Sequence, residues 1–331
     1  MNIELIPRLS GQKLNIWKSF LERAGLEADT NIEETVLVWD GDELVATGSR
    51  QENLLKCIAV ESARQGEGLT ATVITSLRRS AFEKGFRHLF LYTKPMNKEM
   101  FASLFFYPVA QTDKVLLMEN KKDGIAEFLD TLPVDSCESC DKGVGAVVMN
   151  CNPFTLGHRY LIETAAKECD RLYVFVLSED KSMFSAEHRL NMVIKGTADL
   201  ENVSVLPTGP YLISAATFPT YFLKDRESAD RVQCMLDIEI FTKYFVPRFG
   251  ITRRFVGTEP LSQMTDRYND ALKQNLPLRG IELTELPRLE TDGKPVSASA
   301  VRKFIEEKNI DAVKDLVPHS TFEYLQTNSL I

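Results

Sequence analysis

Thr155, Gly157 and His158 gather a hydroxyl, a flexible backbone position and an imidazole inside four consecutive residues, in the run Asn152-Pro153-Phe154-Thr155-Leu156-Gly157-His158. The apolar run 144–149 precedes them and a helical pattern, 158–169, follows. They therefore stand where a buried strand hands over to a helix. The mouth of a helix carries free backbone N–H groups and the positive end of the helix dipole, and both attract phosphate. There Gly157 would let a ligand approach closely and Thr155 would offer a hydroxyl. His158 would donate from a ring nitrogen, most strongly if protonated. This set handles an anion and contains no nucleophile. The plainer reading is a helix capped by His158 and a turn made by Thr155.

A second run, 294–308, places Ser297 and Ser299 just before a helix, with Arg302 three residues after Ser299 on the same face. Two hydroxyls, free N–H groups and a guanidinium fork at one helix mouth would make a second anion site. In isolation the same triplet is also an ordinary N-cap followed by a surface arginine.

The elements that must position these residues follow from the pattern. From residue 143 onward, apolar strands alternate with helical stretches, which predicts a parallel sheet with crossovers and a ligand site at the carboxyl ends of its strands. Lys181, in the loop after the second of these strands, could add charge. Arg189 could too, though a helical arginine is more often on the surface. The earlier part reads differently. A helix at 11–25 is followed by two strands around Asp40-Gly41, a strong hairpin dipeptide. A strand, 54–60, then leads through Gln65-Gly66-Glu67-Gly68-Leu69-Thr70 into a helix. A strand, a short helix and a last strand close this half. Between the halves lies a stretch rich in charge, Pro, Gly and Ser. The expected organisation is residues 1–120, a linker over 121–142 with a short helix, and a second domain over 143–331.

Composition narrows the classes. The chain has 331 residues, a net charge of −8 and a pI near 5.3, which argues against nucleic acid as the main partner. No signal region or 18-residue apolar run is visible, so a soluble, cytoplasmic, non-membrane protein is expected. Six cysteines in a chain this long do not form a disulfide framework. Cys137 and Cys140 make one C-x-x-C with no second pair or histidine nearby, so no metal site is expected.

Together the two runs resemble known signatures. Thr155-Leu156-Gly157-His158 is similar to the (H/T)-x-G-H signature of the nucleotidylyltransferase superfamily, and Ser297-Ala298-Ser299-Ala300-Val301-Arg302 to its S-x-S/T-x-x-R helix start. This resemblance spans Gly143 to the last residue. It implies ATP binding, in-line attack on the α-phosphate, release of pyrophosphate, and Mg²⁺ bridging the phosphates. His158 and Thr155, with Lys181, would steady the α-phosphoryl group. Ser297, Ser299 and Arg302 would hold the leaving phosphates, and Asn152 and Gly157 would join the nucleotide site. The superfamily usually places adenine or ribose contacts near the position of Gly257-Thr258-Glu259.

Gln65, Gly66, Gly68 and Thr70 resemble the pyrophosphate loop of the GNAT acetyltransferases, with Thr70 in place of a smaller residue. The resemblance implies a GNAT-like α+β fold and a cradle for a coenzyme A-like arm. The tyrosine that often serves such enzymes as general acid falls here on Phe101, which has no proton to give, or by a shifted alignment on Tyr107. This half thus looks suited to binding rather than transfer.

A GNAT-like half ahead of a Rossmann-like nucleotidylyltransferase half resembles the citrate lyase ligase family. That implies two steps. Acetate attacks ATP to give acetyl-adenylate. The thiol of the coenzyme A-derived prosthetic arm on the acyl carrier subunit of citrate lyase then takes the acetyl group, releasing AMP. A small apolar pocket for the acetate methyl would come from residues 208–223. Three alternatives share parts of the pattern: a nucleotidylyltransferase joining ATP to a nucleotide or phosphorylated substrate, an acetyltransferase that senses nucleotide, and a nucleotide-binding regulator.

Overall fold

A computed structural model describes the chain except residues 30, 136–140, 180–181, 213–217, 219–220, 222–225, 259–262 and 292–293, and the side chains of 226–228, 263–265, 291 and 294. The chain divides into two compact units: Met1–Gly124 with Phe218–Leu236, and Ile125–Thr217 with Asp237–Ile331.

The first unit runs β1 (Asn2–Pro7), α1 (Gly11–Arg23), β2 (Glu34–Asp40), β3 (Glu43–Gln51), β4 (Leu54–Val60), α2 (Leu69–Glu83), β5 (Phe90–Thr93), α3 (Lys98–Ala102), β6 (Tyr107–Gln111) and β7 (Leu116–Glu119). Its sheet has the order β1-β2-β3-β4-β5-β7-β6. Neighbours are antiparallel except β4 and β5. The parallel pair is registered only at Leu54–Phe90 and Leu55–Leu91, so the ladder stops while β4 continues to Val60. Val73, Ile74 and Leu77 of α2 pack against Val36, Val38 and Leu55, and α1 adds Trp17, Phe20 and Leu21 in a separate cluster.

Sequence patterning does not announce β1 or β6. Ile3 and Leu5 of β1 remain 48% and 43% exposed, so that strand has no buried face to mark it. β6 contains Pro108, which patterning counts against a strand, and it lies at the sheet edge, where a missing N–H is tolerated.

The second unit begins at α4 (Gly124–Asp130), in the stretch between the two halves. It continues with β8 (Val144–Met149), α5 (Leu156–Glu168), β9 (Arg171–Val176), α6 (Ala186–Gly196), β10 (Val203–Pro207), the end of α7 (Arg226–Ile240), whose residues up to Leu236 belong to the first unit, a π-helical turn at Phe241–Phe245, α8 (Val246–Phe249), β11 (Arg253–Gly257), α9 (Gln263–Asn275), β12 (Glu282–Leu286), the small β13 (Glu290–Thr291) and β14 (Lys294–Pro295) pair, α10 (Ala298–Glu306), α11 (Ile310–Lys314) and α12 (His319–Thr327). Its main sheet is parallel throughout, in the order β10-β9-β8-β11-β12. The order reverses between β8 and β11, and such a switch point leaves a crevice at the strand carboxyl ends. The loops bearing Asn152–Thr155 and Thr258 leave β8 and β11 there. Val147, Met149, Phe255 and Ile162 belong to the core beneath them. Among the described residues no helix is long and apolar enough to cross a membrane.

Candidate active site

Thr155 is the N-cap of α5, as its residue type suggests. The cap is reciprocal: His158 N–H donates to Thr155 Oγ1 at 3.4 Å, and Thr155 N–H donates to His158 Nδ1 at 3.0 Å. Because Nδ1 accepts, the neutral ring carries its proton on Nε2. That nitrogen has no partner among the described residues. The ring also stacks on Phe154, 6.0 Å between centroids and 12° between planes. Burial, with the nearby Arg288 cation second, lowers the His158 pKa to about 4. His158 is therefore neutral at pH 7 and donates as imidazole, the weaker of the two donor forms that the sequence leaves open.

The same cap changes the part played by Thr155. It is buried at 1% exposure, and its hydroxyl lies 3.0 Å from His158 Nδ1. The hydroxyl expected to meet a phosphate is turned to His158 and orients that ring. The helix mouth is also more occupied than its sequence suggests. Leu156 N–H donates to the Leu316 carbonyl at 3.0 Å, and only Gly157 N–H is left unpaired in the first turn among the described residues. A Cβ on Gly157 would lie 3.1 Å from the Val296 carbonyl oxygen. Glycine eases this close approach of the two signature segments, since a side chain there would push the Val296 carbonyl back by a few tenths of an ångström.

Val296 immediately precedes the second signature. Ser297 caps α10 by accepting from Ala300 N–H at 3.1 Å. Arg302 Nη2 donates to Ser299 Oγ at 3.0 Å, and its Nη1 donates to the Asn152 carbonyl at 2.6 Å. Asn152 is itself fixed by Phe184 N–H donating to its side-chain oxygen at 3.2 Å. The two helix mouths are thus joined twice, at Gly157–Val296 and at Asn152–Arg302. Gly157 N–H, His158 Nε2 and the N–H groups of Ala298 and Ser299 remain as donors. Gly157, His158, Ser297, Ser299, Arg302 and Arg288 offer donors and positive charge, Thr155 orients the His158 ring, and none of them is a carboxylate. They fit a polyphosphate. A Mg²⁺ ion would find no protein ligand among these residues and would be carried by the phosphates. Among the described residues no group of three or more His, Cys, Asp or Glu side chains could hold a metal.

Other expected residues fall elsewhere. Gly257 ends β11, and its carbonyl accepts from Asn269 Nδ2 at 2.9 Å. Lys181 and Glu259 lie outside the described residues, as do Cys137 and Cys140. Arg189 is not a surface residue: it is fully buried. Its guanidinium donates to the carbonyls of Phe184 at 3.1 Å, Asn150 at 2.9 Å and Leu177 at 2.8 Å, to the Asn150 side chain at 2.6 Å, and to the Glu179 carbonyl. It ties the ends of β8 and β9 together and has its donors engaged by the chain. Arg288 was not anticipated. Its N–H donates to Thr258 Oγ1 at 3.1 Å, linking the loops after β11 and β12. The available signal was a cation two residues past a parallel strand end.

In the first unit, Gly66 and Gly68 take φ values of 92° and 79°, left-handed backbone that favours glycine. Gly68 is the N-cap of α2 and makes no side-chain cap, leaving first-turn N–H groups to meet an anion. Gln65, Gly66, Gly68 and Thr70 line a cavity of about 640 Å³ with Ile58, Ala59 and Tyr92. It opens where β4 and β5 part. Phe101 lines it too, at 3% exposure, and Tyr107 does not. Tyr221, from the segment expected to line an acetate pocket, is also a wall of this cavity. It is 6% exposed, and its hydroxyl donates to the Tyr92 carbonyl at 3.2 Å. Nothing local in the sequence signals that return.

Residues 144–325 match the model of the citrate lyase ligase C-terminal domain. The chain is 40% identical over 311 residues to a Klebsiella pneumoniae citrate (pro-3S)-lyase ligase, covering 92% of this chain and 90% of that one. It is 37% identical over 327 residues to the Escherichia coli K12 protein of that name, covering 97% and 92%. Among solved structures, an acyl-CoA N-acyltransferase from Pseudomonas aeruginosa aligns at TM-score 0.32 and 11% identity, over 37% of this chain and 100% of that one. With a family model matching more than half its length and full-length relatives at this identity, the chain belongs to the citrate lyase ligase family.

Proposed function

We propose that this chain activates acetate with ATP and passes the acetyl group to the thiol of the prosthetic arm on the acyl carrier subunit of citrate lyase. In the first step an acetate oxygen attacks the α-phosphorus of ATP, the bond to the bridging β-oxygen breaks, and pyrophosphate leaves. In the second, the thiolate attacks the acetyl carbonyl and the bond to AMP breaks, the thiol proton passing to solvent base. The chain's own residues stabilise charge and exclude water, with no covalent enzyme intermediate.

His158 donates from neutral Nε2 to an α-phosphoryl oxygen, and Thr155 holds the ring in the tautomer that makes this possible. Ser299, Arg302 and the first N–H groups of α10 hold the phosphates that leave. Gly157 lets the two segments approach. Bound Mg²⁺ would neutralise phosphate charge. Gln65, Gly66, Gly68 and Thr70 hold the pyrophosphate of the arm, and Phe101 leaves that cavity without a proton donor at the expected place.

The observation supporting this reading most directly is the Arg302–Asn152 hydrogen bond, which brings two donor-rich helix mouths to one carboxyl-end crevice. The test is acetate-dependent exchange of labelled pyrophosphate into ATP. The wild-type protein should catalyse it, and His158→Ala should lower it by about 10²–10³-fold, the size of a lost transition-state donor. A wild-type protein without acetate-dependent exchange, or a variant equal to it, would sink the assignment.

A further inference from the structure

The first unit's cavity has an apolar rim, bearing two lysines and one glutamate, that its fold does not require. Met96 is 85% exposed and Met100 39% exposed, four residues apart along the turn into α3, and both also line the cavity. Phe105 follows Leu104, another lining residue, and is 65% exposed. Its φ of 62° is costly for a bulky side chain, so neither burial nor backbone geometry accounts for an aromatic residue there. Arg78 of α2 donates to the Leu104 carbonyl at 3.4 Å and holds this turn in place. Lys94 and Lys98 are exposed on the same segment, with Glu99 exposed beside them, so this turn carries a small positive excess in a chain of net charge −8.

We propose that this rim is the docking surface for the carrier subunit whose arm enters the cavity. The inference rests on the arm-binding reading above. An arm covalently held by a protein can reach the glycine loop only if that protein's surface comes to the mouth. The residues at the mouth are then the first to meet it. Exposed methionines adapt to a partner's apolar surface, and aromatic side chains anchor it. Lys94, which lines the mouth, and Lys98 would pair with carboxylates around the point where the arm leaves the partner, Glu99 being the one exposed carboxylate on this turn. Large apolar side chains left exposed around one cavity mouth are a usual mark of a protein-binding site.

Phe105 and Lys98 are the residues to change, because neither lines the cavity. The experiment compares wild type with Phe105→Glu, Lys98→Glu and the double variant in three readouts. These are acetylation of the arm-bearing carrier subunit, calorimetric binding of free dephospho-coenzyme A, and acetate-dependent pyrophosphate exchange. The expected result is a KM for the carrier raised about ten-fold or more in the double variant, the effect of losing an interface anchor. Dephospho-coenzyme A affinity and exchange stay at wild-type values. An unchanged carrier KM overturns the docking surface, as does an equal loss of carrier acetylation and free-ligand binding. Self-association by gel filtration that the variants abolish, with carrier KM unchanged, assigns the rim to a second copy and also overturns it. Failure of wild type to bind dephospho-coenzyme A overturns the arm-binding reading itself, a distinct result. Exposed substitutions of this kind leave the fold intact, and an unchanged melting temperature checks that.

Discussion

Arg302 Nη1 lies 2.6 Å from the carbonyl oxygen of Asn152, across 150 residues of sequence. With its other terminal nitrogen on Ser299 Oγ, one guanidinium spans both signatures. This makes Arg302 a brace as well as a positive charge. Its planar fork reaches two acceptors at fixed angles, which a lysine ammonium on a flexible stem does not.

Arg302→Lys should therefore keep the charge and lose the brace. We expect pyrophosphate exchange to fall at least about ten-fold, the scale of a lost charged hydrogen bond, with a higher KM for ATP. Steady-state kinetics of the exchange reaction measures this.

His158 gives a pH signature. Its pKa is lowered to about 4 from the ordinary 6.5, chiefly by burial. Between these values the unfolded chain takes up a proton that the folded chain refuses. Stability contributed by the neutral ring is therefore complete above about pH 6.5 and lost as the pH falls toward 4. Denaturant unfolding at pH 7 and pH 5 should show a smaller drop for His158→Gln than for wild type. The His158 Cε1 proton should show no titration above about pH 5 by NMR.

Arg189 carries a stability prediction. Arg189→Met would leave several buried carbonyls at the ends of β8 and β9 without donors. The cost should be about 3 kcal/mol or more, read from denaturant midpoints. The effect reaches activity only through the fold.

Tyr221 separates ring from hydroxyl. Tyr221→Phe removes the bond to the Tyr92 carbonyl and should cost about 1–2 kcal/mol. Tyr221→Ala also removes a wall of the cavity and should cost about 3–5 kcal/mol. Dephospho-coenzyme A should bind Tyr221→Phe nearly as it binds wild type and Tyr221→Ala more weakly, as titration calorimetry would report.

Legibility in the sequence followed locality. The caps at Thr155 and Ser297 and the turn at Gly66 and Gly68 use interactions within four residues, so residue type and spacing announce them. The alternation of strands and helices from β8 onward was equally plain, because each buried strand reads as an apolar run. β1 and β6 gave no such pattern, being exposed or interrupted by proline at the sheet edge. Arg189 reads as a surface side chain on α6, since nothing nearby shows that the ends of two parallel strands will turn their carbonyls toward it.

By itself, then, the sequence determined which residues open α5, α10 and α2, and that each opening could receive an anion, because a helix end is a property of a few adjacent residues. Only the tertiary structure decided which donors stay available. Leu156 N–H goes to Leu316, Thr155 turns to His158, and burial keeps that ring neutral. It also decided that Arg302 meets Asn152 and that Tyr221 returns to the first unit's cavity. Contacts of this range depend on packing between elements far apart in the chain, which no local pattern encodes.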